Sequence, residues 1–184
     1  ASLLPSASAH MAIWHPSVYG FAQPYEPVTP LSGLPFDKWW FHGNAADAPA
    51  ESMTITAGQP LTVQISCNKV HSIYGNETST DACPKDSGSY HAGGSGATGW
   101  ESNSEANLKG CALAISPTAN AAITKPEDFT VMSVLAKCVR QRDTVFPIPA
   151  NLPACPAGGC TCAWFWLNTR NEMYMTGFKC DVAG

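Results

Sequence analysis

An antiparallel β-sandwich with long loops is the fold class this sequence predicts, and three observations predict it. Fifteen glycines and fifteen prolines punctuate the chain, so no stretch sustains a long helical period. Several short segments alternate apolar and polar residues between turn signals, as half-buried strands do. Eight cysteines supply staples for the loops. At 184 residues the chain can bury about 70% of the surface it exposes when unfolded.

Each element follows from its pattern. Leu61 to Cys67 alternates with period two and reads as a strand. Met53 to Thr56 is expected beside it, joined through the turn Ala57-Gly58-Gln59-Pro60. Thr130 to Arg140 reads as another strand, with Met132, Val134, Ala136 and Cys138 on one face. Cys162 to Leu167 and Met173 to Phe178 form an antiparallel hairpin around the polar turn Asn168-Thr169-Arg170-Asn171. Trp164 and Trp166 share one face of it, and Ala163, Phe165 and Leu167 share the other. A short helix is expected at Pro126 to Phe129, with Thr124 as its cap. Two segments read as loops, Gly20 to Ala50 and Tyr74 to Lys109. The second exceeds ordinary connections, so it is either functional or tied down by cysteines. No repeat or linker divides the chain, and residues 10–184 are expected to form a single domain.

Composition narrows the function. Net charge is −4 with 13% charged residues, which excludes a basic nucleic-acid surface and an acidic disordered protein. No apolar run approaches the roughly 18 residues of a membrane span. Ala7-Ser8-Ala9-His10 matches the small-residue pattern that signal peptidase reads. Residues 1–9 are therefore expected to be a signal-peptide remnant or leader, with cleavage making His10 the first mature residue. A secreted, extracellular monomer is expected, and eight cysteines fit an oxidising compartment. Their pairing stays open among 105 connectivities. Cys155 and Cys160 are placed to staple a turn, with Cys162 a competitor. The other expected bridges are Cys67–Cys180, Cys83–Cys111 and Cys138–Cys162. A zinc site at Cys160 and Cys162 is the rival use. Asn76-Glu77-Thr78 is an N-glycosylation sequon, which fits a surface loop.

Five histidines are the natural metal or acid–base candidates: His10, His15, His42, His71 and His91. There is no H-E-x-x-H pair, no G-x-S-x-G elbow, no P-loop and no dinucleotide fingerprint. A terminal histidine is chemically special, because its α-amine and ring Nδ1 chelate one ion. His91 lies in Gly88-Ser89-Tyr90-His91-Ala92-Gly93-Gly94, whose glycines give freedom to place an imidazole. Tyr174 falls on the last strand. One amine and two imidazoles in a T-shape, with a phenol weakly on the axis, suit a single copper ion. Glu172 and Tyr174, two apart on a strand, face the same side. His15 and His42 read as structural histidines and His71 as a surface one. Trp39 and Trp40 are expected to pack inside.

Several blocks carry a family resemblance in order along the chain. They are His10-Met11-Ala12-Ile13-Trp14-His15-Pro16, Trp39-Trp40-Phe41-His42-Gly43, Asp81-Ala82-Cys83-Pro84 and Ser89-Tyr90-His91-Ala92-Gly93. Cys138-Val139-Arg140-Gln141-Arg142-Asp143-Thr144, Cys162-Ala163-Trp164-Phe165-Trp166-Leu167 and Tyr174-Met175-Thr176-Gly177-Phe178 continue them. Together they resemble the lytic polysaccharide monooxygenases of auxiliary activity family fourteen. The resemblance implies an immunoglobulin-like or fibronectin-like sandwich and a copper enzyme attacking insoluble polysaccharide, xylan on cellulose. It implies a histidine brace from His10 and His91, with Tyr174 axial. Beside such a site Glu172, or Gln141 from a neighbouring segment, would hydrogen-bond a copper-bound oxygen species, and Trp14, Tyr19, Tyr25 and Trp100 are candidates to stack on sugar faces. An external electron donor and dioxygen or hydrogen peroxide would be its partners, and hydroxylation beside the glycosidic oxygen would break the chain. Two alternatives stand beside it: a secreted copper-binding protein without glycan cleavage, and a glycosidase using two carboxylates.

Overall fold

Two β-sheets face each other across one aromatic-rich core. The structure is a computed structural model that describes residues 10–23, 26–31, 33–76, 82–83, 108–168 and 172–184. In chain order the strands are β1 (Ala12–Ile13), β2 (Met53–Thr56), β3 (Leu61–Ser66), β4 (Cys111–Ser116), β5 (Thr130–Leu135), β6 (Asp143–Phe146), β7 (Cys160–Leu167) and β8 (Met173–Ala183). One sheet has the order β1-β3-β6 and the other β2-β8-β7-β4-β5. All pairings are antiparallel except β2 with β8, which is parallel.

The expected hairpin is the centre of the larger sheet. Trp166 lies opposite Tyr174, and Trp164 opposite Thr176. Trp164, Trp166, Tyr174 and Phe178 bury their side chains against Met11, Ile13, Val63, Ile65 and Phe146 of the facing sheet. Burying aromatics of this size contributes the largest apolar area in the fold. Ala163 and Met175 point the other way. They are covered by Tyr19 and by Leu31, Trp40 and Phe41, the last three from the stretch that the sequence reads as a loop. That stretch holds one helical turn, α1 (Phe36–Trp39), running into a 3-10 turn at Trp40–Gly43.

Four expectations are corrected. β2 does not pair with β3; it joins the far edge of the larger sheet, Met53 opposite Cys180, and the turn at 57–60 carries the chain between sheets. β5 ends at Leu135, short of Arg140. Its register skips Met132, with Val131 opposite Ala114 and Ser133 opposite Leu113. That extra residue is a bulge and flips the alternation, so Ser133 is buried and Val134 exposed. The turn at Pro126–Asp128 is a 3-10 helix closed by Asp128, whose carboxylate accepts from Lys125 N at 2.8 Å; Thr124 bonds back to Asn120 O instead.

The cysteines pair as Cys67–Cys83, Cys111–Cys138, Cys155–Cys160 and Cys162–Cys180. The turn staple is present, and the other three expected bridges are not. Cys67 N donates to Ala82 O at 3.0 Å, which sets Cys83 against the end of β3. Cys138 folds back onto Cys111 at the start of β4, and Cys162 meets Cys180 within the β7–β8 hairpin. No thiol is free, so no zinc-binding Cys-x-Cys remains.

The outer layer is keyed to one glycine. A Cβ on Gly177 would collide with the Phe41 ring. Phe41 and His42 adopt φ of 49° and 51°, a left-handed conformation unusual outside glycine. His42 offsets this by donating from Nε2 to Met175 O at 2.7 Å, while Nδ1 meets Thr29 Oγ1 at 3.1 Å. Gly177→Ala is expected to cost about 1–3 kcal/mol by overpacking, read as a lower urea midpoint.

Candidate metal centre

His10 sits where β1 enters the sandwich, and the residues after it are held on both sides. Ala12 pairs with Ser66 and Ile13 with Ile65, while Ile13 N donates across the core to Thr176 Oγ1 at 3.3 Å. Trp14 donates from its backbone to Gln64 O at 2.8 Å and from Nε1 to Ser66 O at 3.0 Å. Farther on, Lys179 N donates to Ser17 O at 2.9 Å and Tyr19 N to Gly177 O at 3.0 Å. Residues Met11 to Trp14 are all buried. His10 itself is half-buried at the edge of this packing.

Tyr174 faces it. The two rings lie 5.7 Å apart at 74°, an edge-on arrangement. Tyr174 is fully buried, and its other neighbour is Trp166 at 4.8 Å. Its hydroxyl donates to Glu172 Oε2 at 2.9 Å. The same oxygen accepts from Asn168 Nδ2 at 2.7 Å, and that amide lies 3.4 Å from the Tyr174 hydroxyl. Asn168 and Glu172 also exchange backbone bonds: Glu172 N donates to Asn168 Oδ1 at 3.0 Å, and Asn168 N to Glu172 O at 3.0 Å. The buried amide thus joins the end of β7 to the start of β8 and fixes the carboxylate that accepts the phenol's hydrogen bond.

The structure therefore brings His10, Tyr174 and Glu172 together, as period-two alternation predicts for the last two. Glu172 is turned towards Tyr174 and Asn168. Gln141 lies exposed on the loop between β5 and β6, its carbonyl accepting from Thr144 Oγ1 at 3.0 Å. That loop is tied by Cys138 to Cys111, which is opposite Trp166, so it belongs to the same end of the sandwich. His91, Tyr25 and Trp100 lie outside the described residues. Among the described residues, no group of three or more His, Cys, Asp or Glu side chains surrounds a metal-sized space.

Two proposed sugar-stacking residues are corrected. Trp14 is buried under Val28 and Phe21, and Tyr19 is buried against Phe41 at 5.0 Å. Phe36 on α1 is exposed instead, stacked on Trp40 at 5.3 Å; Trp40 is buried and Trp39 half-buried. His71 is buried, contrary to its surface reading. His15 and His42 are structural. His15 Nδ1 accepts from Ser17 N at 3.1 Å and meets Ser17 Oγ at 2.8 Å, which leaves the proton of the neutral ring on Nε2. Sequence reasoning missed Asn168. Its signal was available: an amide four residues before Glu172, at the mouth of a tight antiparallel turn.

Comparison with known proteins agrees with this architecture. The catalytic domain of a lytic polysaccharide monooxygenase from Listeria monocytogenes superposes with a TM-score of 0.52 at 13% identity, over 95% of this chain and 100% of that one. CvAA9A superposes equally well, at 0.52 and 12% identity, over 95% and 79%. At such identities the likeness establishes the sandwich. Sequence establishes more: the lytic polysaccharide monooxygenase AA14 family model matches residues 1–184, and the chain belongs to that family. AA14 family lytic polysaccharide monooxygenase B of Pycnoporus cinnabarinus is 38% identical over all of this chain and 52% of its own length. AA14 family lytic polysaccharide monooxygenase A of Trametes coccinea is 38% identical over all of this chain and 46% of its own. The chain thus spans about half the length of the curated relatives it matches.

Asn168→Ala removes a donor from Glu172 and the clasp of the turn, and is expected to lower stability by about 1–3 kcal/mol. Circular dichroism in the near ultraviolet should report loosened Tyr174 and Trp166 packing. Burial holds the His15 imidazole below its ordinary 6.5, against the opposing charge of Glu51. The unfolded chain then binds a proton more readily, so this residue's contribution is complete above 6.5 and is lost as pH falls below it. In His15→Gln, that part of the acid slope in urea midpoints should flatten.

Proposed function

We propose that residues 10–184 form the copper-binding domain of a secreted monooxygenase that cleaves plant cell-wall polysaccharide, xylan on cellulose. The observation that carries this reading is the edge-on pairing of His10 with buried Tyr174, in a chain of the AA14 family. The donor set fits copper. An imidazole and a neighbouring phenol are in place at one end of the sandwich, and all eight cysteines are oxidised, so no thiolate competes. The amine and ring of His10, freed by removal of residues 1–9, would hold the ion with the His91 ring, and the Tyr174 phenol would be a further weak donor. Bound copper supplies the redox chemistry that turns dioxygen or hydrogen peroxide, with electrons from an external donor, on a sugar C–H bond.

The protein's share is placement. The double anchoring of residues 11–19 holds His10 at one position, and Asn168 with Glu172 holds the phenol at one rotation. Tyr174 and Trp166 are packed ring against ring in the core beside His10, and would keep water from that side of a bound ion. Hydroxylation at the carbon beside the glycosidic oxygen makes that bond collapse by elimination. Glu172 and Gln141 are the polar groups of this end proposed to meet the oxygen co-substrate.

The test uses secreted protein processed to begin at His10 and loaded with copper. Electron paramagnetic resonance should show a type 2 signal with nitrogen hyperfine structure. Xylan-coated cellulose with a reductant should release oxidised oligosaccharides by mass spectrometry. Retaining residues 1–9, or changing His10→Ala, should weaken copper binding by about 100-fold or more, the upper end of what losing an outer hydrogen bond to a metal ligand costs. A nitrogen-ligated signal without oxidised products would favour a copper-binding role; cleavage indifferent to copper removal would favour a glycosidase.

A further inference from the structure

The segment after β3 exposes three apolar side chains beside a glycosylation sequon. Val70, Ile73 and Tyr74 are 46%, 64% and 37% exposed within five consecutive positions. The backbone beneath them is firmly built. Lys69–His71 form a 3-10 turn whose cap, Asn68, accepts from Val70 N at 3.0 Å. Ser72 Oγ donates to Lys69 O at 2.7 Å and accepts from Tyr74 N at 3.2 Å. Ile73 N donates to Gln64 Oε1 on β3 at 3.1 Å. Gly75 lies directly against the Val70 backbone, where any Cβ would collide, and its N–H donates to Ser72 O at 3.0 Å. The Tyr74 ring is fixed in turn, edge-to-face with His15 at 6.1 Å and Phe21 at 5.4 Å. The next residue but one is Asn76, exposed, and it opens Asn76-Glu77-Thr78.

We propose that Asn76 is an N-glycosylation site whose first N-acetylhexosamine lies on the platform formed by Tyr74, Ile73 and Val70. A sequon is a weak motif by itself. Here it comes after a rigid turn that ends in an aromatic residue two positions upstream, within about 7 Å along the chain. The negative face of an aromatic ring attracts the polarised C–H groups of a sugar, and the neighbouring aliphatic side chains suit the acetamido methyl. Four disulfides with no free thiol fit the compartment in which such transfer happens. In the transfer, Asn76 Nδ2 bonds to the anomeric carbon of a lipid-pyrophosphate-linked oligosaccharide. The bond from that carbon to the pyrophosphate oxygen breaks, the oxygen keeps the electron pair, and the amide gives one proton to a base of the transferring enzyme. Nothing is oxidised or reduced.

The full chain secreted from a eukaryotic host provides the test. Peptide mapping should find glycan on Asn76, absent in Asn76→Gln. Trimming to the first sugar should leave the thermal midpoint unchanged, whereas complete removal by an amidase should lower it by about 2–4 °C. Asn76→Asp supplies the reference for the aspartate the amidase leaves. Tyr74→Ala should abolish the drop. Because that variant also loses packing on His15 and Phe21, nuclear Overhauser contacts between the first sugar and the Tyr74 ring are measured in the unaltered protein. An unmodified Asn76 overturns the site; a glycan with neither ring contacts nor a change in midpoint overturns the platform.

Discussion

Everything at the candidate centre depends on residues 11–19 being stitched into both sheets at once. β1 has only two residues, too few for its ladder alone to hold the segment that carries His10. Its second residue bonds Thr176 on the opposite sheet, and Ser17, Val18 and Tyr19 then pair with β8 over residues 177–179. Were the segment tied to the smaller sheet only, any slip between sheets would move His10 relative to Tyr174. Tied to both, His10 is set by the thickness of a packed sandwich, about 10 Å between sheet planes. Close packing makes that spacing stiff.

β8 is the strand that all of this uses. Its eleven residues present Tyr174 and Phe178 to the core, Met175 and Gly177 to the outer layer, and an edge to β2. The outer layer holds its position at a local cost. Two non-glycine residues sit in the left-handed region, where strain of about 1–3 kcal/mol each is typical. Phe41 recovers it by filling the space above Gly177, and His42 by its bond to Met175 O. The same strand that carries Tyr174 is thereby clamped from behind.

The β7–β8 hairpin is legible in the sequence because its alternation is uninterrupted and both faces are buried, so a slip of one residue would exchange them. Glu172 beside Tyr174 is legible for the same reason. The strand at Thr130 is legible too, but its facing is not, because one bulged residue inverts every later side chain and nothing in Thr130 to Arg140 announces it. β2 is misplaced because a short turn normally joins neighbours, whereas here it crosses between sheets. The Cys155–Cys160 staple is legible from its spacing, whereas the other three disulfides depend on where loops return. Trp14 and Tyr19 fail as surface residues because the segment that covers them, with Val28, Phe21 and Phe41, reads as loop. His91 can be named from its glycine-rich setting, and it lies outside the described residues.

The polar cluster behind Tyr174 is better explained by orientation than by stability. A phenylalanine would bury nearly the same apolar area without requiring a carboxylate at the rim of the core, and buried charged groups seldom gain stability over apolar ones. What a phenylalanine lacks is a directed oxygen. Once the hydroxyl proton is committed to Glu172 Oε2, rotation about the C–O bond stops and the remaining lone pairs point elsewhere. Glu172 can serve as that acceptor only while its own position is fixed, and Asn168 fixes it from side chain and backbone together. Packing places the ring; the amide and carboxylate aim its oxygen.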